Sequence, residues 1–197
     1  IIDPELMTSV PASVTAATGF DAFTHAFESY LGGRTSPLTR QMSLEAIQLV
    51  VENLPKAIQQ PKNIECRTQL AWADTLAGMC LSNGGADLPH PLGEIIGGIC
   101  PRIAHGETLA MVYPSFLKYK KNIAPDKFKE VASFLGLKKD PDKLSLKIEE
   151  LLNITELSNA RERAELTKEE KHEILTHPLL SKLEPKNSSE IIAIMEE

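Results

Sequence analysis

No stretch of the 197 residues approaches the ~20 consecutive apolar positions that a helix needs to cross a bilayer, so no membrane is expected. The first residues carry no basic region leading into an apolar run, and no secretory signal is read there. Runs of alternating β-branched residues are missing, which leaves nothing to build a sheet from. A glycine-rich phosphate turn is missing too. Cysteine is scarce: Cys66, Cys80 and Cys100 are odd in number and form no Cys-x-x-Cys pair. Three buried small side chains in a reducing cytoplasm are therefore expected. Aromatic residues make up 5%, charged residues 24% and hydrophobic residues 42%, a balance that excludes a disordered chain or a coiled coil. The formal net charge of -6 opposes phosphate backbones, so nucleic acid is not an expected partner. The local basic cluster Lys118, Lys120, Lys121, Lys127 and Lys129 reads as a solvated helix end.

What is present is helical punctuation almost throughout. Pro11 opens a stretch to Leu31, stopped by Gly32 and Gly33, with a kink or break expected at Gly19. Ser36 and Pro37 start a second helix that should end at Pro55. Asn63 begins a third; its half from Leu70 to Leu81 is apolar nearly all round, which implies central burial and a core position for Trp72. Asp87 should cap a short helix closing at Gly97 and Gly98. His105 opens a helix to about Lys121 with a kink at Pro114. Further helices are expected from Pro125 to Leu135, from Asp140 and Pro141 onward, behind a Thr167/Glu170 capping box, and from Ser188 or Ser189 to Glu197. The expectation is a single all-α domain of eight to ten helices spanning residues 1–197. The chain opens Ile-Ile-Asp-Pro rather than with Met, and reads like the middle of a longer protein.

Three of the five histidines fall in the apolar, glycine-punctuated first half. Asp21 and His25 stand four residues apart, one turn of one helix face, among Phe20, Phe23 and Phe27. A buried carboxylate there needs an ion-pair partner or a metal; a plain Asp–His pair satisfies the spacing equally well. His90 and His105 each sit near the start of an expected helix, with a loop between. Two core or capping histidines would satisfy that pattern as well. Taken together, one carboxylate and three imidazoles form a mixed nitrogen and oxygen set that suits iron, zinc, nickel or copper. An open coordination position would let such a cation act as a Lewis acid on a carbonyl or hydroxyl oxygen. Glu28 shares the Asp21–His25 face, as an acceptor for an imidazole N–H or as a surface charge. His172 and His177 lie in a charged stretch and read as solvent-facing.

The segment Thr18-Gly-Phe-Asp-Ala-Phe-Thr-His-Ala-Phe-Glu-Ser-Tyr30 resembles the first metal-binding signature of iron-containing (group III) alcohol dehydrogenases. Leu88-Pro-His-Pro-Leu-Gly93, with Ala104-His-Gly-Glu-Thr-Leu-Ala110 and Tyr113-Pro114, resembles their second. The resemblance runs from Asp3 to about Tyr119. It implies the helical, dehydroquinate synthase-like fold of that family's metal domain, with Asp21, His25, His90 and His105 as ligands of iron or zinc. It implies hydride transfer between a small alcohol and an aldehyde or ketone, with NAD or NADP as cofactor, and it is compatible with a homodimer. Leu81 and Ala86 would lie near the substrate. Glu94 stands where many members carry a further histidine facing the nicotinamide, and Pro91 replaces a common glycine. The family's N-terminal nucleotide-binding domain has no counterpart in these residues, so the chain alone is expected to bind metal weakly and not to turn over alcohol.

The same residues admit three other readings. A helical metal-dependent phosphohydrolase would show an adjacent His-Asp pair, whereas Ala26, Pro91, Gly106, Glu173 and Pro178 follow the five histidines here. A non-catalytic helical domain would keep its histidines as core residues. Glycerol dehydrogenase and dehydroquinate synthase share the architecture, with ligand sets usually of three protein groups.

Overall fold

Helix α1 (Ala12–Leu31) turns Phe20, Phe23 and Phe27 into the centre of the protein, where all three are fully buried. Burying side chains of this size contributes about 1.5–3 kcal/mol each. The rings are not randomly placed: Phe23 stacks with both Phe20 and Phe27, and Tyr113 meets Phe20 edge-on at 5.1 Å. The structure, a computed structural model, describes residues 1–32 and 34–183. Among these residues it forms helices and no strands, as the absence of β-branched alternation predicts.

Helices α2 (Pro37–Gln59) and α3 (Ile64–Gly84) pack against α1. Ser36 caps α2 by accepting from the Thr39 N–H, and Asn63 caps α3 by accepting from the Cys66 N–H. Two expectations change here. Gly19 breaks nothing: α1 is continuous, and a methyl at Gly19 would fall 2.5 Å from the Leu54 Cδ1, so the glycine lets α2 come close. Pro55 lies inside α2, which continues to Gln59 and buries Ala57 beyond it. One lost N–H donor in the last turns is evidently outweighed by that packing.

The third helix is also less central than its composition suggests. Leu70, Ala73, Leu76, Ala77 and Cys80 are buried, but Trp72 is 45% exposed and donates its indole N–H to Glu45 on α2. Its apolar side chains exceed what one buried face can hold. Arg67 is buried on the same helix and donates to the Thr15 hydroxyl and the carbonyls of Pro61 and Val10, fastening the N-terminal segment to α3.

Helices α4 (Pro89–Ile99) and α5 (His105–Ile123) form a close pair, and α5 also crosses α1. Asp87 does not cap α4, whose cap position is Leu88; its carboxylate instead accepts from the Leu88 N–H and pairs with Lys120. Gly97 and Gly98 lie within α4, which ends at Ile99. Pro114 lies inside α5. Four further helices complete the described chain: α6 (Pro125–Phe134), α7 (Pro141–Ile154), the short α8 (Ala160–Ala164) and α9 (Lys168–Leu175). The Thr167/Glu170 capping box opens α9 as expected. The helix expected at Ser188–Glu197 lies outside the described residues. All three cysteines are buried and free. No helix among the described residues is long and apolar enough to cross a membrane. The lysine cluster is more than a solvated end: Lys121 pairs with Asp142, and Lys127 donates to the carbonyls of Leu31 and Gly32, closing the C-terminus of α1.

Candidate metal centre

Three imidazoles, one from each of three helices, converge on one carboxylate oxygen of Asp21. Asp21 and His25 come from the middle of α1, His90 from the first turn of α4, and His105 from the start of α5. The Nε2 atoms of His25, His90 and His105 lie 3.3, 3.6 and 3.8 Å from Asp21 Oδ1. The His25 ring stacks on the His90 ring at 4.7 Å between centroids. His90 and His105 meet edge to face at 5.5 Å. Asp21, His90 and His105 can each offer one ligand atom within 4.8 Å of the others.

These separations test whether a cation fits. Ligands bonded to one tetrahedral ion at about 2.1 Å lie roughly 3.4 Å from each other. The distances to Asp21 Oδ1 bracket that figure, and at the longer end exceed hydrogen-bond length. Asp21 Oδ1 and His90 Nε2 are both buried with no hydrogen-bond partner. Buried polar atoms are normally paired, so the two unpaired atoms facing each other at 3.6 Å fit a cation between them. One oxygen and three nitrogens are a suitable donor set for iron or zinc.

The local electrostatics agree. Burial alone would raise the Asp21 carboxyl, but the close approach of His90 and the charges of His25 and His105 outweigh it and hold the group below its ordinary value. Burial holds the His25 imidazole below its ordinary value, against the pull of Asp21. His90 behaves in the opposite way: burial pulls it down, yet Asp21 and Glu28 together lift it to about 9. With the carboxylates of Asp21 and Glu28 on either side of His90, the centre has a negative potential suited to positive charge.

Side-chain exposure rises from 8% at His90 through 19% at His25 to 42% at His105, so the centre opens to solvent on the His105 side. A groove of about 420 Å3 runs beside Asp21, lined by Met7, Val10, Val14, Leu70 and Asp74 among others. Asp74, on α3, was not picked out by sequence spacing. Burial raises its carboxyl, and the charges of His25 and Asp21 reach it. Glu94 is exposed one turn after His90, Leu81 is half-buried near the end of α3, and Ala86 is exposed between α3 and α4. His172 is exposed; half-buried His177 accepts from the Leu179 N–H and caps the turn Pro178–Lys182.

Comparison with known proteins agrees with the motifs. A family model described as Fe-containing alcohol dehydrogenase family, C-terminal, matches residues 15–196. The chain belongs to this family. The 1,3-propanediol dehydrogenase of Citrobacter freundii is 37% identical over 136 residues, covering 69% of this chain and 35% of the relative. An NAD-dependent methanol dehydrogenase of Bacillus methanolicus is 35% identical over the same shares of the two chains. The crystal structure of a 1,3-propanediol oxidoreductase superposes with a TM-score of 0.87 at 28% identity, over 98% of this chain and 53% of its own. The chain thus spans about a third of the curated relatives' length in sequence, and about half of that solved chain in structure.

Proposed function

We propose that this chain is the metal-carrying helical part of a metal-dependent alcohol dehydrogenase, whose reaction passes a hydride between an alcohol and NAD or NADP. The observation that supports it most strongly is the placement of three imidazole Nε2 atoms within 3.3–3.8 Å of one buried carboxylate oxygen. A relative named as NAD-dependent and another named for 1,3-propanediol point to the same cofactor and to small alcohols as substrates.

Asp21, His25, His90 and His105 would hold iron or zinc, with occupancy following supply because zinc competes well at such sites. When bound, the cation supplies a Lewis acid for the alcohol or carbonyl oxygen. The protein's own groups do the rest. Asp21 places its carboxylate oxygen among the three imidazole Nε2 atoms, at 3.3–3.8 Å. The phenylalanine layer beneath α1 keeps water from the inner side of the site, which strengthens every electrostatic contact there. Half-exposed His105 and the groove beside Asp21 leave an approach for substrate and nicotinamide. The sequence carries no glycine-rich phosphate motif, so we assign the nucleotide's phosphates to a separate nucleotide-binding domain, and these 197 residues to one metal-binding domain.

The test is elemental analysis of the purified chain after equilibration with zinc, and anaerobically with ferrous iron. One ion per chain, lost in His90→Ala, is the expected result. No stoichiometric uptake by the wild-type chain overturns the reading in favour of a non-catalytic helical domain. Alcohol oxidation with NAD by the isolated chain at ordinary dehydrogenase rates would refute the division of labour between domains.

A further inference from the structure

We infer that Glu28 is a positioning residue that fixes His90 in the Nδ1–H form, so that its Nε2 lone pair faces the centre. This rests on the metal-centre reading above. Glu28 lies on α1, two turns beyond Asp21, and is fully buried. Its Oε2 stands 2.8 Å from His90 Nδ1 and also accepts from the Asp87 N–H at 2.8 Å. The arrangement leaves Nε2, the atom nearest Asp21, as the one free for coordination. An imidazole has two tautomers of similar energy, and the partner of one nitrogen decides which lone pair the other presents.

Glu28 is itself held on several sides. The Asp87 carboxylate, adjacent to the donating N–H, is paired with Lys120 of α5. The buried Tyr113 hydroxyl, also on α5, lies close enough to feel the charges of both Glu28 and Asp87. Glu28 Oε1 and the Tyr113 hydroxyl are buried without a hydrogen-bond partner, so one water between them would serve both. A carboxylate is costly to bury, and Glu28 is fully buried. A neutral side chain of the same shape would burden the fold less. The charge is therefore explained by what it does to His90 rather than by stability.

The experiment compares wild type, Glu28→Gln and Tyr113→Phe. It reads zinc affinity by competition with a chelator, the unfolding midpoint of the metal-free chain, and the His90 tautomer in the zinc-loaded chain by 15N NMR. Expected are an Nδ1-protonated His90 in wild type and a zinc affinity at least tenfold lower in E28Q. The metal-free midpoint of E28Q should be unchanged or higher, and Y113F should show a smaller loss of affinity. A structural role for Glu28 would lower the metal-free midpoint and the affinity together, which counts against the proposal. Equal zinc affinity in wild type and E28Q, or an Nε2-protonated His90 in the zinc-loaded chain, overturns it while sparing the metal centre. A wild-type chain that takes up no zinc overturns both.

Discussion

A methyl group on the α-carbon of Gly106 would fall 2.0 Å from the carbonyl oxygen of Ala17. The first turn of α5 therefore rests directly on the backbone of α1, one turn from Asp21. Gly106 follows His105, so the contact sets the height of that imidazole above the site. Gly106→Ala must move backbone, at a cost of about 1–3 kcal/mol. Gly19→Ala meets only the end of the Leu54 side chain, which can rotate. Thermal unfolding should rank G106A as the more damaging, and G106A alone should weaken zinc binding. Equal effects of the two substitutions would contradict this account.

Removing one ligand should separate binding from folding. His105 is half-exposed and contributes little to the core, so His105→Ala should leave the metal-free chain as stable as wild type, within about 0.5 kcal/mol. Its zinc affinity should fall by at least tenfold. Chelator competition alongside denaturant unfolding checks both halves of this expectation.

Acid should loosen α9 only at the low end of the pH range. Arg102 grips Glu170 with two hydrogen bonds of 2.5 and 2.9 Å, and reaches the Ala164 carbonyl at 3.0 Å. Those bonds hold the Glu170 carboxyl down at about 2. A depressed carboxyl stabilises the fold above its unfolded value, near 4.3, and that contribution is lost as the pH falls through about 2. Protection of the α9 amides, taken against their intrinsic exchange rates, should fall between about pH 4 and pH 2 in wild type. Glu170→Gln should exchange faster throughout and lack the acid step. High salt should narrow the gap, because the pair is solvent-exposed.

Trp72 offers a check on the outer side of α3. It is the chain's single tryptophan, and 45% of it is exposed. Trp72→Phe should change the unfolding free energy by less than about 1 kcal/mol, against about 3–5 kcal/mol for Phe23→Ala in the core. A red-shifted native emission spectrum would fit the exposure, and a blue-shifted one would contradict it.

The candidate site was legible in sequence because its chemistry lies in local spacing. Asp21 and His25 share a helix face through the 3.6-residue repeat, and His90 and His105 sit at helix starts marked by proline and glycine. Sequence could not say that α4 and α5 fold back over α1, and the resemblance supplied that step. Where the fold was misread, tertiary packing overrode a local rule. Gly19 looks like a breaker until Leu54 is seen beside it, and Pro55 looks like a stop until Ala57 is seen buried beyond it. Trp72 looks like core until the apolar surface of α3 exceeds the space available. Glu28 shows the limit most clearly: the same residue on the same helix face reads equally well as a surface charge, and only the arrival of His90 from α4 gives it a role.

The proposed ligands Asp21 and His105 would make the centre a clasp between two helical units, α1 to α3 on one side and α4 with α5 on the other. An ion seated there would join segments more than eighty positions apart, and would favour the assembled chain by RT ln(1 + [L]/Kd), about 2.7 kcal/mol at a hundredfold excess over Kd. Supply of the metal would then govern how long the folded molecule survives, as well as what it can catalyse.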